Sequence, residues 1–264
     1  MLRLSVLSLL LIASLVPGAT PPPTVQVTCR LQRDAKAIEE QRSFDPTTTA
    51  IIICDMWDDH WCKSASQRCD VLAKKANPVV EAARKAGVTI IHCPSDCMDF
   101  YKDHAARKRT LAVKHVPVPK DKALLNPPLP IDDTDGGCDD AAPAKSFRAW
   151  KKQHDAIGID DEKDYLTDKG SEAYSVLAKH GVKTVFVMGV HTNMCVLHRS
   201  FAIKQLRRWD IECYLVRDLT DAMYNPAKKP FVAHDAGTNL VIEYIETHWC
   251  PSVLSKDLAN AVKK

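Results

Sequence analysis

The stretch Thr184-Val185-Phe186-Val187-Met188-Gly189-Val190-His191-Thr192-Asn193-Met194-Cys195-Val196 decides the reading. Its first seven residues show no polar alternation. That is the pattern of a strand buried on both faces, as in a parallel sheet. A short polar turn follows, and the residues from Asn193 to Trp209 carry a helical pattern. A buried strand that runs through a short turn into a helix is the building unit of an α/β fold. In open sheets of this kind, ligand sites lie beyond the carboxyl ends of the strands.

Working outward, Ala50 to Asp55 (AIIICD) is a second buried strand, and it ends in an acid. Residues from about Ser66 to Lys85 read as helix with a break expected near Pro78. Gly87 stops that helix, and Val88 to Cys93 is the next strand. Ala156 to Ile159 is a weak strand. Thr167 to His180 is a helix with Thr167 or Asp168 as its cap. Ile211 to Val216 is a strand, and a last helix covers about Phe231 to Glu246. This alternation predicts right-handed crossovers. The expected fold is an α/β three-layer sandwich, a mostly parallel sheet covered by helices on both faces. Residues 101–155 are rich in Pro, Lys and Asp and read as an irregular insertion, not a second domain. The chain thus divides into a leader (1–19), an N-terminal linker and extension (20–45) and one domain (46–264).

With 264 residues, 45% of them hydrophobic, the chain can bury one sizeable core. Lys and Arg number 36 against 33 Asp and Glu, a net +3, so nothing electrostatic favours a nucleic-acid partner. At the start, Arg3 precedes an apolar run from Leu4 to Val16, broken by Pro17-Gly18-Ala19. The run is too short to span a bilayer comfortably. It reads as a signal peptide cleaved near Ala19, which predicts a secreted or periplasmic protein with no membrane contact after cleavage. Of the ten cysteines, some are expected to pair in an oxidising compartment.

Cys195 is expected to open a helix. The free N–H groups there lower a thiol pKa and can stabilise an oxyanion. Asp55, at another strand end, is a candidate to take the thiol proton. Trp57, His60 and Trp61 follow Asp55 and are candidates to line a substrate pocket, with packing under the sheet as the alternative. In the acidic run from Asp132 to Asp140, acids beside glycine suit a hard cation such as calcium. The twelfth-position Glu of an EF-hand is missing, so a hydrogen-bonded acidic loop is the expectation.

Gly189, Val190, Thr192, Asn193, Cys195 and Val196, together with Ile53 to Trp61 (ICDMWDDHW), resemble the isochorismatase-like cysteine hydrolases, which include the nicotinamidases. The likeness extends from about Ala50 to Leu254. It implies a catalytic triad with Cys195 as nucleophile, Asp55 as general base and later acid, and a lysine. Lys163, within the charged run Asp160 to Asp164, is the lysine nearest the family position. The likeness also implies a cis Val190–His191 peptide and an oxyanion hole from the N–H groups of His191 and Cys195. The implied reaction is hydrolysis of a small amide or related C–N bond through a thioester. Nicotinamidases hold a divalent metal through an Asp-x-His arrangement and a further His. His92 to Asp99 lacks that arrangement, so a metal-free variant is expected, with His92 as a core or wall residue and no other cofactor implied. The implied partners are a small-molecule substrate and a second copy of the chain, since subunit pairing is common in that family. Two alternatives stand beside this reading, a catalytically degenerate binding protein of the same fold and an isochorismatase-type vinyl-ether hydrolase.

Overall fold

A computed structural model describes residues 24–259; the leader expected over residues 1–19 lies outside them. The elements in chain order are β1 (Val25–Arg33), β2 (Lys36–Phe44), β3 (Thr49–Cys54), α1 (Lys63–Lys85), β4 (Thr89–Cys93), α2 (Ala105–Leu111), β5 (Tyr165–Leu166), α3 (Gly170–Lys179), β6 (Thr184–Val190), α4 (Cys195–His198), α5 (Ile203–Arg208), β7 (Glu212–Asp221), α6 (His234–His248), β8 (Ser252–Val253) and α7 (Ser255–Ala259). One sheet contains all the strands in the order β2-β1-β8-β7-β6-β3-β4-β5. From β8 to β5 every neighbouring pair is parallel.

All residues of β3, β4 and β6 are buried, as their unbroken apolar runs require. Alternate side chains point to opposite layers. Ile52, Val187 and Leu215 pack with Val176 of α3, Leu206 of α5 and Val241 of α6. Ile51, Ile53, Phe186 and Tyr214 pack with Leu72, Ala76 and Val80 of α1 and Leu258 of α7. Each fully buried aliphatic side chain contributes about 1.5–3 kcal/mol, so the two layers together hold the sheet.

Four local expectations are corrected. Residues 25–44, expected as part of an N-terminal linker and extension outside the domain, form a hairpin that extends the sheet antiparallel to β8. It turns at Asp34 and Ala35, both at positive φ, the geometry whose twist matches paired strands. The helix α1 runs through Pro78 without a break. Its apolar stripe continues on both sides of the proline, from Leu72 and Ala76 to Val80 and Ala83, and that burial outweighs a cost of about 3 kcal/mol. The weak strand expected at Ala156–Ile159 is not formed; the strand beside β4 is Tyr165–Leu166. Finally, the helix expected from Asn193 to Trp209 is two short helices, with Arg199 in extended backbone between them (φ −60°, ψ 153°). The hydroxyl of Ser200, in that break, accepts the N–H of Gly170 at 2.9 Å, which ties the start of α3 to it.

Candidate active site

Strand order reverses around β3, whose neighbours are β6 on one side and β4 on the other. The chain therefore leaves the sheet in opposite directions there, and a crevice opens at the carboxyl ends. Asp55 follows β3, Ser95 follows β4, and His191 to Cys195 follow β6. This brings together residues more than a hundred positions apart.

Close approach of backbone sets the nucleophile turn. Gly189 pairs with Cys54 across the β3–β6 ladder at φ +123°. A Cβ at Gly189 would lie 1.9 Å from the Cys54 carbonyl oxygen, so no other residue fits there undisturbed. The Val190–His191 peptide is cis, as the resemblance implied. The motif's polar residues fasten the turn to the end of β7. The Thr192 N–H donates to the Asp221 carbonyl at 2.8 Å, and the two hydroxyls of Thr192 and Thr220 bond at 2.7 Å. Asn193 accepts from the Met223 N–H (2.8 Å) and donates to its carbonyl (3.0 Å) and to Asp133 (2.8 Å).

Asp55 is fully buried and held at φ +49°, a strained backbone for a residue with a side chain. One carboxylate oxygen accepts the Ser95 N–H at 2.6 Å, and the other accepts Arg199 Nε–H at 2.8 Å. Burial pushes the Asp55 pKa up, while the Arg199 guanidinium, the Ser95 N–H and the Cys195 thiol pull it back. The Cys195 thiol stands close enough to this carboxylate for each to shift the other's proton affinity. As first residue of α4, Cys195 has an N–H with no acceptor inside the helix.

The expected lowering of the thiol pKa is reversed. Burial and the adjacent Asp55 charge push it up, against the pull of Arg199. With four residues, α4 is too short for its dipole to compensate. The resting pair is thus a neutral thiol beside a carboxylate that can take its proton, not a preformed thiolate.

Lys163 does not reach this pair. It is exposed and lines a hollow with Gly87, Val88 and Thr89, at the amino end of β4. Six residues of extended chain, about 20 Å, separate that end from Ser95. Among the described residues, Arg199 is the one cation in ion-pair contact with Asp55. Its second nitrogen arm lies 3.6 Å from the Asp96 carboxylate. The residue is a signal the sequence offered only if the helix after Cys195 was known to break.

A cavity of about 550 Å³ opens at Cys195, lined by Leu129, Asp133, Asn193, Met194, Cys195, His198 and Arg199. Met194 also borders a second hollow of about 370 Å³, where His60 and Trp61 stand. Trp57 is a packed wall. It stacks on Trp150 at 4.0 Å between centroids, and its N–H donates to the Ser95 carbonyl. Trp150 comes from the insertion and was not a sequence candidate. Burial lowers the His60 pKa to about 4 and that of His191 to about 3, so both rings are neutral.

His92 is completely buried, with one ring nitrogen on Gln153 and the other on Asp164, each at 2.9 Å. Both nitrogens are thereby engaged within the protein. The acids of the 132–140 loop diverge onto protein donors. Asp140 accepts the N–H groups of Lys63 and Ser64, Asp139 binds Arg68, and Asp135 binds Asn225. A Cys62–Cys138 disulfide pins the same loop to the start of α1.

The sequence matches the model of the isochorismatase domain over residues 49–234, the span from β3 to the first residue of α6. The chain belongs to the isochorismatase family. Among solved structures, this isochorismatase-family chain resembles a cysteine hydrolase from Pseudomonas syringae pv. phaseolicola at 16% identity, over 83% of this chain and 94% of that one, with a TM-score of 0.50. It also resembles an isochorismatase family protein from Burkholderia thailandensis (16% identity, 83% and 97% covered, TM-score 0.44) and an isochorismatase from Pseudomonas putida (12%, 80% and 90%, 0.47). At 16% identity the likeness to the Pseudomonas syringae protein is one of fold. No curated protein matches the sequence. Membership of the isochorismatase family makes the chain a hydrolase.

Proposed function

We propose that this hydrolase cleaves a small amide or related C–N bond with Cys195 as nucleophile. The observation that carries the reading is the buried Asp55 carboxylate facing the Cys195 thiol beside a cavity large enough for a small molecule. Asp55 accepts the thiol proton as sulfur attacks the carbonyl carbon. The N–H groups of His191 and Cys195 stabilise the oxyanion that forms. When the C–N bond breaks, protonated Asp55 gives its proton to the leaving nitrogen, and ammonia or an amine departs. Water then attacks the thioester with Asp55 again as base, and the acid product leaves with Cys195 restored. The apolar leader supports a secreted or periplasmic setting for this chemistry.

The test is a panel of primary amides with ammonia detection. Wild-type protein is expected to release ammonia from at least one of them. Cys195→Ser should lower that rate about 10³-fold or more while the thermal unfolding curve stays in place. Turnover that survives the substitution would remove the nucleophile assignment. Binding of an amide in the cavity without turnover would turn the reading into that of a binding protein.

A further inference from the structure

We propose that Arg199 is the cation of the nucleophile pair: a positioning residue that holds the Asp55 carboxylate as an anion aimed at the Cys195 thiol, in place of the lysine the family resemblance implies. The inference rests on the cysteine-hydrolase reading of the same site.

Three observations support it. Asp55 is completely buried, and an isolated buried carboxylate would neutralise itself, so an anion there needs a partner. Arg199 supplies it at 2.8 Å, and among the described residues no other cation pairs with Asp55. The break after α4 has a geometric consequence. If the helix ran on through Arg199, the residue would keep helical backbone; instead its extended backbone accompanies a side chain that reaches Asp55. The guanidinium also faces two strand-end acids, Asp55 after β3 and Asp96 after β4. One planar group thus spans the crevice floor and lines the Cys195 cavity. The cation thus comes from the end of the nucleophile's own helix. There it cannot lose its charge at any working pH, as a lysine could.

Every titratable or charged group near Asp55 enters the test. These are Cys195 and Arg199 from α4 and its end, Cys54 from β3, Cys93 from β4, and Cys97 with Asp96 from the loop after β4. Burial favours a neutral carboxylic acid at Asp55, and Arg199 opposes it.

The experiment is alkylation of Cys195 by iodoacetamide as a function of pH, read by peptide mass spectrometry, in wild type, Arg199→Gln and Arg199→Lys. It needs no substrate. The acid limb of the profile reports loss of the first proton from the thiol–carboxyl pair. An opposite charge at this range lowers a carboxyl pKa by about 1–3 units. The limb in Arg199→Gln should therefore move up by at least about one unit, with alkylation on the limb slowed about tenfold or more. Arg199→Lys keeps the charge and should hold the limb within about half a unit, even if Arg199→Gln proves unstable. A purely structural role would slow both variants at every pH without moving the limb. An unmoved limb in folded Arg199→Gln, or a full shift in Arg199→Lys, overturns the proposal. Absence of ammonia release from every amide would instead count against the hydrolase reading and leave the limb shift standing.

Discussion

Opening the Cys62–Cys138 bridge should cost this protein a large share of its stability while its folded form stays in place. The bridge closes a loop with a sequence separation of 76. Chain-entropy arithmetic for a loop of that length gives about 4.5 kcal/mol at 25 °C, taken almost wholly from the unfolded chain. The folded loop has other anchors that survive reduction. Asp140 accepts the Lys63 and Ser64 N–H groups at 2.8 and 3.0 Å, and Asp139 takes two bonds from the Arg68 guanidinium. Because the loop keeps its place, the folded state gains little freedom to offset the loss. For a chain of this size the expected fall in Tm is about 9–18 °C. The assay compares thermal unfolding of oxidised and fully reduced wild type, with Cys62→Ala/Cys138→Ala as a third sample. Thiol titration of the denatured protein checks reduction, since eight free cysteines become ten. The reduced wild type should melt close to the double variant. Equal midpoints for the oxidised and fully reduced protein would refute the reasoning and leave the bridge without an energetic role.

Two further perturbations follow from the geometry. Gly189→Ala forces a Cβ against the Cys54 carbonyl at a φ that only glycine adopts freely. It should cost roughly 3 kcal/mol or more from strain and overpacking together and should slow Cys195 alkylation; a variant as stable and reactive as wild type would show that β3 and β6 are not locked at this point. Acid should unfold the protein partly through Asp164. Burial works to raise its pKa, but bonds from His92 and Arg84 outweigh this and hold it below the usual carboxylate value of 3.8. A carboxyl depressed in the folded state adds stability that is fully present above its unfolded pKa and is lost as pH falls through the lower, folded one. Asp164→Asn should therefore flatten the pH dependence of stability below about pH 4. At neutral pH it should cost about 3–5 kcal/mol, because Arg84 loses a buried counter-charge and His92 loses a hydrogen-bond partner. An unchanged acid profile in that variant would move the acid sensitivity elsewhere.

The parts legible in the sequence were those with local physical signatures. Buried parallel strands announce themselves as unbroken apolar runs, and β6 has the bounds read from Thr184 to Val190. Strand–turn–helix alternation was enough for the layered fold, and the spacing of Gly189, Thr192, Asn193 and Cys195 was enough for the nucleophile turn. The hairpin at residues 25–44 was missed because its second strand is polar and half-exposed, so its apolar signal is weak. Lys163 was chosen by proximity along the chain, and the register of β4 with β5 puts it at the wrong end of the sheet.

What the sequence determined by itself was periodicity and turn chemistry, since both arise among residues a few positions apart. Only the tertiary structure decided which charge serves Asp55. Arg199 lies 144 residues further along the chain. It arrives because β6 settles beside β3 and because the segment after Cys195 leaves the helix early. An interaction of that kind depends on strand order and on a helix break tied to α3, and no local pattern of residues encodes either.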